Sequence, residues 1–520
     1  MKNVIYINCW ADPWIQVAKR LQEEYDMKPV WWIGYSKEDN SDVLVPQAFP
    51  DIVYQDNADA WKGRFSDEII KRSENCYLDF EYLRKHAHHE LQAIKMMDRV
   101  DQDQRSFNFM ERQRHYRNMI KKCKAAIEIF NPSLVISTAI PHRLYDYVLY
   151  WLCQDLNIPF LTIQHTQFPG RFYFSKNSFY SLGNRFIEDY QLFEKQDNLE
   201  SIIPNDILSR FNNVKKDYSE AAPAFMASLA MSEKKQSSFF YTIKRAAYKF
   251  SCIYGPYLSG KPADTTIIGH SAYDKRAKKK YEESDGNIYQ NIVSLIHSHR
   301  FKRRLKNYYE DLTETPNYAE DKYVVYFLHY QPEATSCPGG DIFVDQNLCV
   351  ETLLKYLPDT YKVYVKEHPH QFIKAHIGHT SRMKDFYDDL KKNDRVKLIS
   401  TNENTFNLIK HAEAVSTITG TVGWEAIVRH KPVIAFGLGW YENYSKGCLR
   451  ITDEKSAERI LPFIEGYEFN EHSLMAYLAS IGKNTRLAYY FKKMYEKETS
   501  VNEDECVNNI IASIIESYSK

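Results

Sequence analysis

Short apolar runs alternate with longer amphipathic stretches in two separate parts of the chain, and this alternation constrains the fold most. Strands separated by helices predict parallel sheets with helices on their faces. The sequence therefore predicts two doubly wound α/β domains. The apolar runs lie at 3–8, 29–33, 133–138 and 159–163, and again at 323–328, 361–365, 396–400, 414–417 and 432–436. The stretches with helical spacing lie at 78–100, 107–130, 345–356, 381–391, 403–411 and 421–430.

The predicted organisation has four parts. An N-terminal α/β domain spans 1–190, a helical and basic connector spans 191–320, and a second α/β domain spans 321–483. Helical stretches at 484–497 and 503–517 close the chain within 484–520. Two such domains facing each other would place a ligand cleft between them, at the carboxyl ends of their strands.

Composition narrows the class of protein. The 520 residues correspond to two or three domains, and 44% hydrophobic with 26% charged residues argues against disorder as the main state. Lys+Arg and Asp+Glu balance at 68 each, so no overall positive field indicates nucleic acid as a partner. The nine cysteines are scattered without a CxxC pair, which favours reduced thiols in the cytoplasm. The start MKNVIYINCW is typical of a strand and not of a signal peptide.

The segment 234–306 differs from the rest in its charge. It holds sixteen Lys or Arg against five Asp or Glu, with Tyr and Phe interleaved. One interpretation is a helical connector with solvated basic faces. The other is a surface that meets an anionic glycan or the anionic inner membrane, which would make a cytoplasmic protein peripheral at that membrane.

The stretch VKEHPHQF ends a predicted strand of the second domain with charged residues. Open α/β sheets bind ligands at the carboxyl ends of their strands. Pro369 stiffens the loop, and the imidazole of His368 can donate a hydrogen bond to a phosphate oxygen. Lys366 adds a positive charge beside them. The alternative is a surface turn with a chance histidine.

A second candidate is the turn in STITGTVGWEAIV, which leads from a strand into a helix. Gly420 and Gly423 allow close backbone approach, and Thr419 and Thr421 offer hydroxyl groups. The free N–H groups at the start of the helix form an anion site. Glu425 can accept hydrogen bonds from ribose or simply complement the helix dipole. Ordinary turn chemistry is the alternative for the whole segment.

Two further loops carry polar side chains. In LHYQPEATSCPGGDIFVDQ, Gln331 and Glu333 are placed to contact a donor or an acceptor. In the first domain, PHRLYD presents His142 and Asp146, which share a helix face if the helix begins early. A carboxylate next to a histidine is a reasonable general base, although capping by Asp146 and packing by His142 would explain the same residues.

Other histidines are weaker candidates. His165 and Arg171 lie in a loop that follows the next strand of the first domain. The run KHAHHE at 85–90 has three histidines without a cysteine partner, so we expect a solvated helix face and predict no metal site.

The second half resembles a known family. Its QPE loop, its KEHP strand end and the block TGTVGWEA followed by KPVIAFG are similar to bacterial capsular polysaccharide biosynthesis proteins of GT-B fold. These include Kdo transferases and related enzymes that use CMP-activated ulosonic or nonulosonic acids. The His-Pro motif is also similar to that of bacterial sialyltransferases. The likeness covers about 320–440, is thinner over 130–170, where PHRLYD falls, and is absent over 190–320.

The resemblance implies a function and a role for each motif. His368 and Pro369 would hold the donor phosphate, the 417–425 turn the nucleotide, and Asp146 would be the catalytic carboxylate. The first domain would bind a glycan or lipid-linked glycan acceptor, and the second would bind the nucleotide sugar. The chain would be a cytoplasmic glycosyltransferase that moves an acidic sugar from a CMP-activated donor onto a capsule or lipopolysaccharide glycan.

A CMP-linked sugar carries one phosphate, which hydrogen-bond donors and helix dipoles can stabilise. We therefore expect no cofactor and no metal, and no Asp-x-Asp pair follows a strand to bridge a metal-bound diphosphate. One alternative is a polyol-phosphate transferase of GT-B fold that uses a CDP-alcohol. The other is a non-catalytic protein that binds glycan or nucleotide during assembly.

Overall fold

The computed structural model describes residues 1–99, 108–179, 182–216, 288–373, 378, 381–490 and 501–519. The chain divides into two compact units. Unit 1 contains the described residues of Met1–Met97, Asn108–Leu208 and Glu471–Lys520, and unit 2 those of Asp98–Phe107 and Ser209–Asn470. Each unit is built around one sheet. The predicted α/β class with two doubly wound units is confirmed.

The sheet of unit 1 has seven strands in the order β13-β6-β5-β4-β1-β2-β3. Strands β1 to β5 are parallel to one another, whereas β6 is antiparallel to both β5 and β13. The strands are β1 (Lys2–Ile7), β2 (Met27–Gly34), β3 (Val53–Asp56), β4 (Leu134–Ser137), β5 (Phe160–His165), β6 (Arg171–Lys176) and β13 (Arg486–Leu487). The central strands are buried on both faces, as expected for a sheet covered by helices.

Helices cover this sheet and bury its apolar side chains. One core cluster stacks Tyr6 on Trp32 at 4.7 Å between ring centroids, with Trp14 packed edge-on. The chain returns to unit 1 at Glu471. The helices are α1 (Ala11–Tyr25), α2 (Ser36–Asp39), α3 (Ser41–Ala48), α4 (Asn57–Trp61), α5 (Asp67–Glu74), α6 (Phe80–Lys85), α7 (Ala87–Met96), α8 (Phe109–Phe130), α9 (Tyr145–Asp155), α10 (Asn184–Phe193), α11 (Asn205–Lys216, which enters unit 2 after Leu208), α19 (Glu471–Asn484) and α20 (Glu503–Tyr518).

The sheet of unit 2 has six strands in the order β12-β11-β10-β7-β8-β9, and all of its neighbouring strands are parallel. The strands are β7 (Lys322–Phe327), β8 (Tyr361–Lys366), β9 (Val396–Ile399), β10 (Ala414–Thr417), β11 (Val433–Ala435) and β12 (Cys448–Arg450). The helices are α12 (Ile288–Asp311), α13 (Gln346–Tyr356), α14 (Lys384–Lys391), α15 (Thr405–His411), α16 (Thr421–Val428), α17 (Glu454–Ala457) and α18 (Ile460–Glu465).

Both sheets reverse their strand order beside their first strand. In unit 1 the chain moves outward through β1, β2 and β3, and then restarts at β4 on the other side of β1. In unit 2 it restarts at β10 on the other side of β7. Open α/β sheets bind ligands in the crevice at such a switch point, beyond the carboxyl ends of the strands. The residues that follow β1 and β4, and those that follow β7 and β10, are therefore the places to look for a site.

Some predicted elements differ from the structure. The stretch 484–497 is not a helix in its described part, because α19 ends at Asn484 and the next residues form the short strand β13. The stretch 78–100 is divided into α6, α7 and a short 3₁₀ turn. Most of the basic segment 234–306 lies outside the described residues. Among the described residues, no helix combines the length and the apolar character needed to span a membrane.

Candidate functional site

In unit 2 the residues that follow β7 remain buried, although they no longer pair with a neighbouring strand. His329 and Gln331 are 7% and 3% exposed. Gln346 accepts from the backbone N–H of His329 at 2.7 Å and donates to its carbonyl at 3.1 Å. Gln371 makes the same pair of bonds to Gln331, at 3.0 and 3.1 Å. Two side-chain amides thus replace the missing neighbouring strand, as buried backbone groups require.

An ion pair in the core of unit 2 fixes the same segment to the end of β8. Glu367 and Arg382 are 1% and 2% exposed, and Arg382 Nε donates to Glu367 Oε2 at 2.9 Å. Tyr387 donates to the same oxygen at 2.9 Å. Arg382 also donates to the side chain of Gln331 and to the carbonyl of His329. Both charges are therefore saturated inside the protein, which is the condition under which a buried pair is tolerated.

His368 begins a 3₁₀ turn that spans Pro369–Phe372. Its Nδ1 atom accepts a hydrogen bond from the backbone N–H of His370 at 3.1 Å. In the neutral ring the proton is therefore on Nε2, since Nδ1 is the acceptor. His368 is half-buried, and its ring centroid lies 6.4 Å from that of Tyr330. The turn thus fixes His368 as a directional N–H donor at the carboxyl edge of the sheet.

His329 connects the end of β7 to the turn that follows β10. Its Nε2 atom accepts from the backbone N–H of Thr419 at 3.1 Å and lies 3.0 Å from Thr417 Oγ1. The hydroxyl of Thr417 also accepts from the backbone N–H of Gly420 at 3.2 Å. Burial lowers the pKa of His329 to about 4, so the ring is neutral at physiological pH and remains an acceptor. These hydrogen bonds connect the segment after β7 to the end of β10 and the turn after it, across the switch point of unit 2.

The two glycines of this turn are required by contacts within the protein. A Cβ atom at Gly423 would lie 2.3 Å from the hydroxyl oxygen of Tyr441, which donates to the carbonyl of Gly420 at 2.7 Å. A Cβ atom at Gly420 would lie 2.6 Å from Thr417 Oγ1. Gly420 is also the N-cap of α16 and supplies no side-chain cap. The first N–H groups of a helix have no partner within the helix, so this helix start fits an anion.

Glu425 lies in α16 and is 6% exposed. Burial raises its pKa to about 7, while the positive charge of Arg429 and a hydrogen bond from Thr421 act in the opposite direction. Thr421 is exposed at the start of the helix, and Thr419 donates from Oγ1 to the carbonyl of Thr335 at 3.1 Å. The pKa of Glu425 is therefore raised towards neutral pH, and Thr421 is more accessible to solvent than Glu425.

The remaining residues predicted in unit 2 have different surroundings. The amine of Lys366 donates to the carbonyl of Glu403 at 2.7 Å and to Thr405 Oγ1 at 2.8 Å. Burial lowers its pKa to about 8. Gln331 donates to the carbonyl of Val344 at 2.7 Å, so its amide is used inside the unit. Glu333 is exposed.

In unit 1 a buried polar cluster occupies the switch point between β1 and β4. Asn8 follows β1 directly, is fully buried, and has a left-handed backbone with φ of 58°. Its side-chain oxygen accepts hydrogen bonds from Asn57, Arg143 and Tyr145, and its carbonyl accepts one from the hydroxyl of Thr138. The cluster joins the ends of the first and fourth strands in the same way as His329 does in unit 2.

Asp146 belongs to this cluster and is 0% exposed. Its Oδ1 atom accepts from the backbone N–H of Arg143 at 2.6 Å, and Asn8 Nδ2 lies 3.5 Å from Oδ2. Burial raises the pKa of Asp146 above its ordinary value, against the opposing effect of the Arg143 charge. An elevated pKa suits a general base, and the carboxylate is held here by groups of the protein itself.

The expected pairing of His142 and Asp146 on one helix face is wrong. Helix α9 begins at Tyr145, after Leu144 with φ of 44°, so His142 precedes the helix. His142 Nδ1 lies 2.5 Å from the carbonyl oxygen of Ile140 within the preceding turn. His142 and Asp146 therefore do not share a helix face, although they are four residues apart.

The solvated helix face predicted for residues 85–90 is found only in part, since Lys85, Ala87 and His88 are exposed. His86 is buried, and the rings of His86 and His89 stack on Trp151 with centroids 4.8 and 5.0 Å away. Burial lowers the pKa of His89 to about 4. In the later loop, Arg171 forms a bidentate pair with Asp206. These residues pack unit 1 together.

Sequence reasoning did not single out the side chains that hold both switch points. They are polar residues scattered between motifs, and only the strand order shows that they meet. They are Asn8, Tyr35, Asn57, His329, Gln346, Gln371 and Arg382.

Comparison with known families supports the resemblance seen in the motifs. Residues 275–459 match the family model described as "Capsule polysaccharide biosynthesis protein". The resemblance predicted over 320–440 is thereby confirmed. No curated protein sequence matches the chain.

The solved structures that match this chain have low identity to it. Thermosulfurimonas dismutans KpsC, a β Kdo 2,4 transferase, is 11% identical, with 73% of this chain and 87% of that chain covered at a TM-score of 0.28. Methanocaldococcus jannaschii UDP-GlcNAc 2-epimerase is 9% identical, with 91% and 94% covered at 0.23. An α,α-trehalose-phosphate synthase (UDP-forming) from Burkholderia vietnamiensis is 9% identical, with 96% and 100% covered at 0.27. At these scores the matches identify no substrate, and the α/β class rests on the two sheets themselves.

Replacing Glu425 by Gln should change the pH dependence of stability. The carboxyl group binds its proton more tightly in the folded protein, with a pKa of about 7 against an ordinary 4.5. Wild-type stability should therefore fall as the pH rises from about 4.5 to about 7, by at most about 3 kcal/mol. Glu425→Gln should unfold at a higher temperature than the wild type at pH 8, and this advantage should shrink towards pH 5.

Thermal unfolding across this pH range measures the difference, and the exposed Glu458→Gln in the same unit is the matched control. Parallel stability curves for Glu425→Gln and the wild type would contradict the assignment.

Replacing Asp146 by Asn should reduce turnover and leave nucleotide binding nearly unchanged. If the carboxylate accepts the proton of the acceptor hydroxyl, turnover should fall by about 10²–10⁴-fold. Nucleotide affinity should remain within about twofold, because the predicted nucleotide residues lie in unit 2. Steady-state kinetics and nucleotide titration, with circular dichroism to check folding, measure both effects. A fully active Asn variant would shift the role to His142, His165 or Glu333.

Proposed function

We propose that this chain, whose residues 275–459 match the capsule polysaccharide biosynthesis family, is a glycosyltransferase that uses a CMP-activated acidic sugar. The sugar would be a ulosonic acid of the Kdo, pseudaminic or sialic type. The acceptor would be a capsule or lipopolysaccharide glycan. The family match supports a role in capsule polysaccharide synthesis, and the donor and acceptor are our proposal.

The observation that carries the proposal is the fixed orientation of His368. Its Nδ1 atom accepts from the backbone N–H of His370, so the ring presents Nε2–H as its donor. This donor lies at the carboxyl edge of the unit 2 sheet, and the uncapped start of α16 follows β10 at the same edge. A neutral donor and a helix start are together suited to one phosphate group.

In the proposed reaction an acceptor hydroxyl attacks the anomeric carbon of the donor sugar. The bond from that carbon to the phosphate oxygen breaks, CMP leaves with the bonding electrons, and the hydroxyl proton passes to a base, for which Asp146 is the candidate. Negative charge grows on the phosphate as CMP departs. A hydrogen bond from His368 would therefore strengthen in the transition state and accelerate the step.

We expect CMP to stabilise the protein against thermal unfolding. A ligand at 100 times its dissociation constant adds about 2.7 kcal/mol to the stability of the folded state. UDP and GDP should give smaller shifts at equal concentration. Thermal-shift measurements with CMP, UMP, UDP and GDP, each with and without a divalent metal, test this.

A larger shift from UDP with a divalent metal would overturn the donor assignment. A donor panel then distinguishes reactions: release of CMP from CMP-sugars with CDP-glycerol inert supports the proposal. Turnover of CDP-glycerol would indicate polyol-phosphate transfer. Nucleotide binding without turnover of any donor would indicate a non-catalytic role.

His368→Ala should weaken CMP binding and reduce turnover together. The loss of one hydrogen bond to a charged group costs about 1.5–3 kcal/mol, or about 10- to 150-fold. His370→Ala is the matched control, because it retains the backbone N–H that bonds to His368 Nδ1. It should change both quantities much less.

CMP titration and donor turnover of the two variants, beside a folding check, measure these effects. If folded His368→Ala binds CMP like the wild type, then the 368–372 turn does not hold the phosphate.

A further inference from the structure

Arg143 in unit 1 is hydrogen-bonded through one nitrogen of its guanidinium group. Its Nη1 atom donates to the side chain of Asn8 and to the hydroxyl of Tyr35, the latter at 2.8 Å. Among the described residues, the geometric hydrogen bonds of the guanidinium are those of Nη1, Tyr145 is close enough to interact with it, and no carboxylate lies within ion-pair distance of it. The guanidinium of Arg143 is therefore fixed in place through Nη1, and its charge interacts with that of Asp146 without a direct ion pair.

The Nε/Nη2 edge of this guanidinium has the geometry that carboxylates require. Nε–H and Nη2–H point in parallel from the planar guanidinium, and together they can bind both oxygens of a carboxylate. The group whose charge would otherwise neutralise Arg143 is Asp146, but its Oδ1 oxygen accepts from the backbone N–H of Arg143 and not from the guanidinium.

Aromatic rings flank the guanidinium. Its central carbon lies 5.6 Å from the ring centroid of Tyr35 and 5.8 Å from that of Trp61. Tyr35 in turn stacks on Trp10 at 4.7 Å. Arg143, Trp61, Tyr35 and Trp10 are each partly exposed. Aromatic faces beside a cation are well suited to the apolar face and the acid group of a sugar.

The position of Arg143 agrees with this chemistry. It lies in the loop between β4 and α9, and it bonds to Asn8 at the end of β1. The residues are thus at the switch point of the unit 1 sheet, where open α/β sheets bind ligands.

We propose that the Nε/Nη2 edge of Arg143 binds the carboxylate of an acidic sugar, with Trp61 and Tyr35 as the walls of the subsite. The choice of an acidic sugar rests on the proposed function. The carboxylate belongs either to the acceptor glycan or to the donor sugar, and both present the same group to the arginine. Binding through this edge makes Arg143 a specificity-determining residue.

The first test uses the wild-type protein and two small ligands. Free Kdo carries a carboxylate, and its methyl ester replaces that charge by a neutral group that is one methyl larger. The affinities of both are measured by calorimetry or by saturation-transfer NMR. The free acid should bind at least about tenfold more tightly, as expected when a charged hydrogen-bonded pair is lost. Equal affinity of the acid and the ester would overturn the proposal.

The second test assigns that difference to Arg143. Arg143→Gln should abolish the preference for the acid, and Arg143→Lys should retain only part of it, because lysine keeps the charge without the fork. The control is Arg64→Gln, since Arg64 lies just beyond α4 and is already paired with Asp59 at 3.1 Å. It should retain the full preference. An unchanged preference in Arg143→Gln overturns the proposal, and so does its loss in Arg64→Gln.

The source of the carboxylate and the proposed function are resolved by separate measurements. If the acceptor supplies it, Arg143→Gln raises KM for an acidic acceptor and not for the CMP-sugar donor; the reverse result assigns it to the donor. CMP affinity should be unchanged in either case. If no donor is turned over but the acid-over-ester preference depends on Arg143, then the subsite stands and the proposed transferase activity fails. If Arg143→Gln does not fold, then Arg143→Lys and the ester comparison on the wild type decide the question.

Discussion

The backbone beyond the end of β7 must be hydrogen-bonded without a neighbouring strand, and the arrangement of unit 2 around its switch point depends on how this is achieved. Gln346 and Gln371 each contribute one donor and one acceptor to a single buried residue, as a strand would. Because Gln371 lies in the 3₁₀ turn that His368 begins, the bond to Gln331 also holds that turn against β7. The buried pair of Glu367 and Arg382 fastens the same two segments, so losing either partner would leave an uncompensated charge in the core. The proposed phosphate donor is therefore positioned by groups that never touch a ligand.

Unit 1 solves the same problem with one residue. Asn8 gathers hydrogen bonds from the loop after β4, from α4 and from α9 on its single side-chain oxygen. Several donors on one acceptor constrain each other, because none can move without leaving a buried polar group unpaired. Arg143 is held by one nitrogen in this way, which leaves its remaining N–H groups preorganised. In both units, polar side chains hydrogen-bond across the switch point where the strand order reverses. In each unit one hydrogen-bond donor lies beside these bonds, at the carboxyl edge of the sheet, which we call the rim: His368 in unit 2 and Arg143 in unit 1.

The sequence predicted the elements whose signal is local. The apolar runs that became β8 and β10 match the observed Tyr361–Lys366 and Ala414–Thr417 closely, because buried parallel strands are continuously hydrophobic. Strand β3 was missed, since its four residues are only half-buried at the sheet edge and carry no such run. The site was predicted as far as single motifs allow: the loop with His368 and the turn at Gly420 follow β8 and β10, the two strands that flank β7 in one sheet. Lys366 looked like a phosphate ligand because its charge is visible in the sequence, whereas its partners in the 403–405 segment are visible only in the fold. His329 and Arg143 required the strand order itself.

The two rims differ in charge, and this difference bears on the proposed chemistry. In unit 2 the donors beside the switch point are neutral: a histidine N–H and the start of a helix, while the nearby cations Lys366 and Arg382 bond to interior groups. Neutral donors bind a phosphate diester less tightly than a cation that pairs with the phosphate does. Their hydrogen bonds strengthen as the leaving nucleotide gains negative charge. If the proposed donor binds there, such a site would favour the transition state over the bound donor. In unit 1 the rim carries a full positive charge on Arg143, which suits a group whose charge does not change during the reaction. A sugar carboxylate is such a group, so its binding energy would serve to select and orient the sugar while the phosphate contacts serve the bond that breaks.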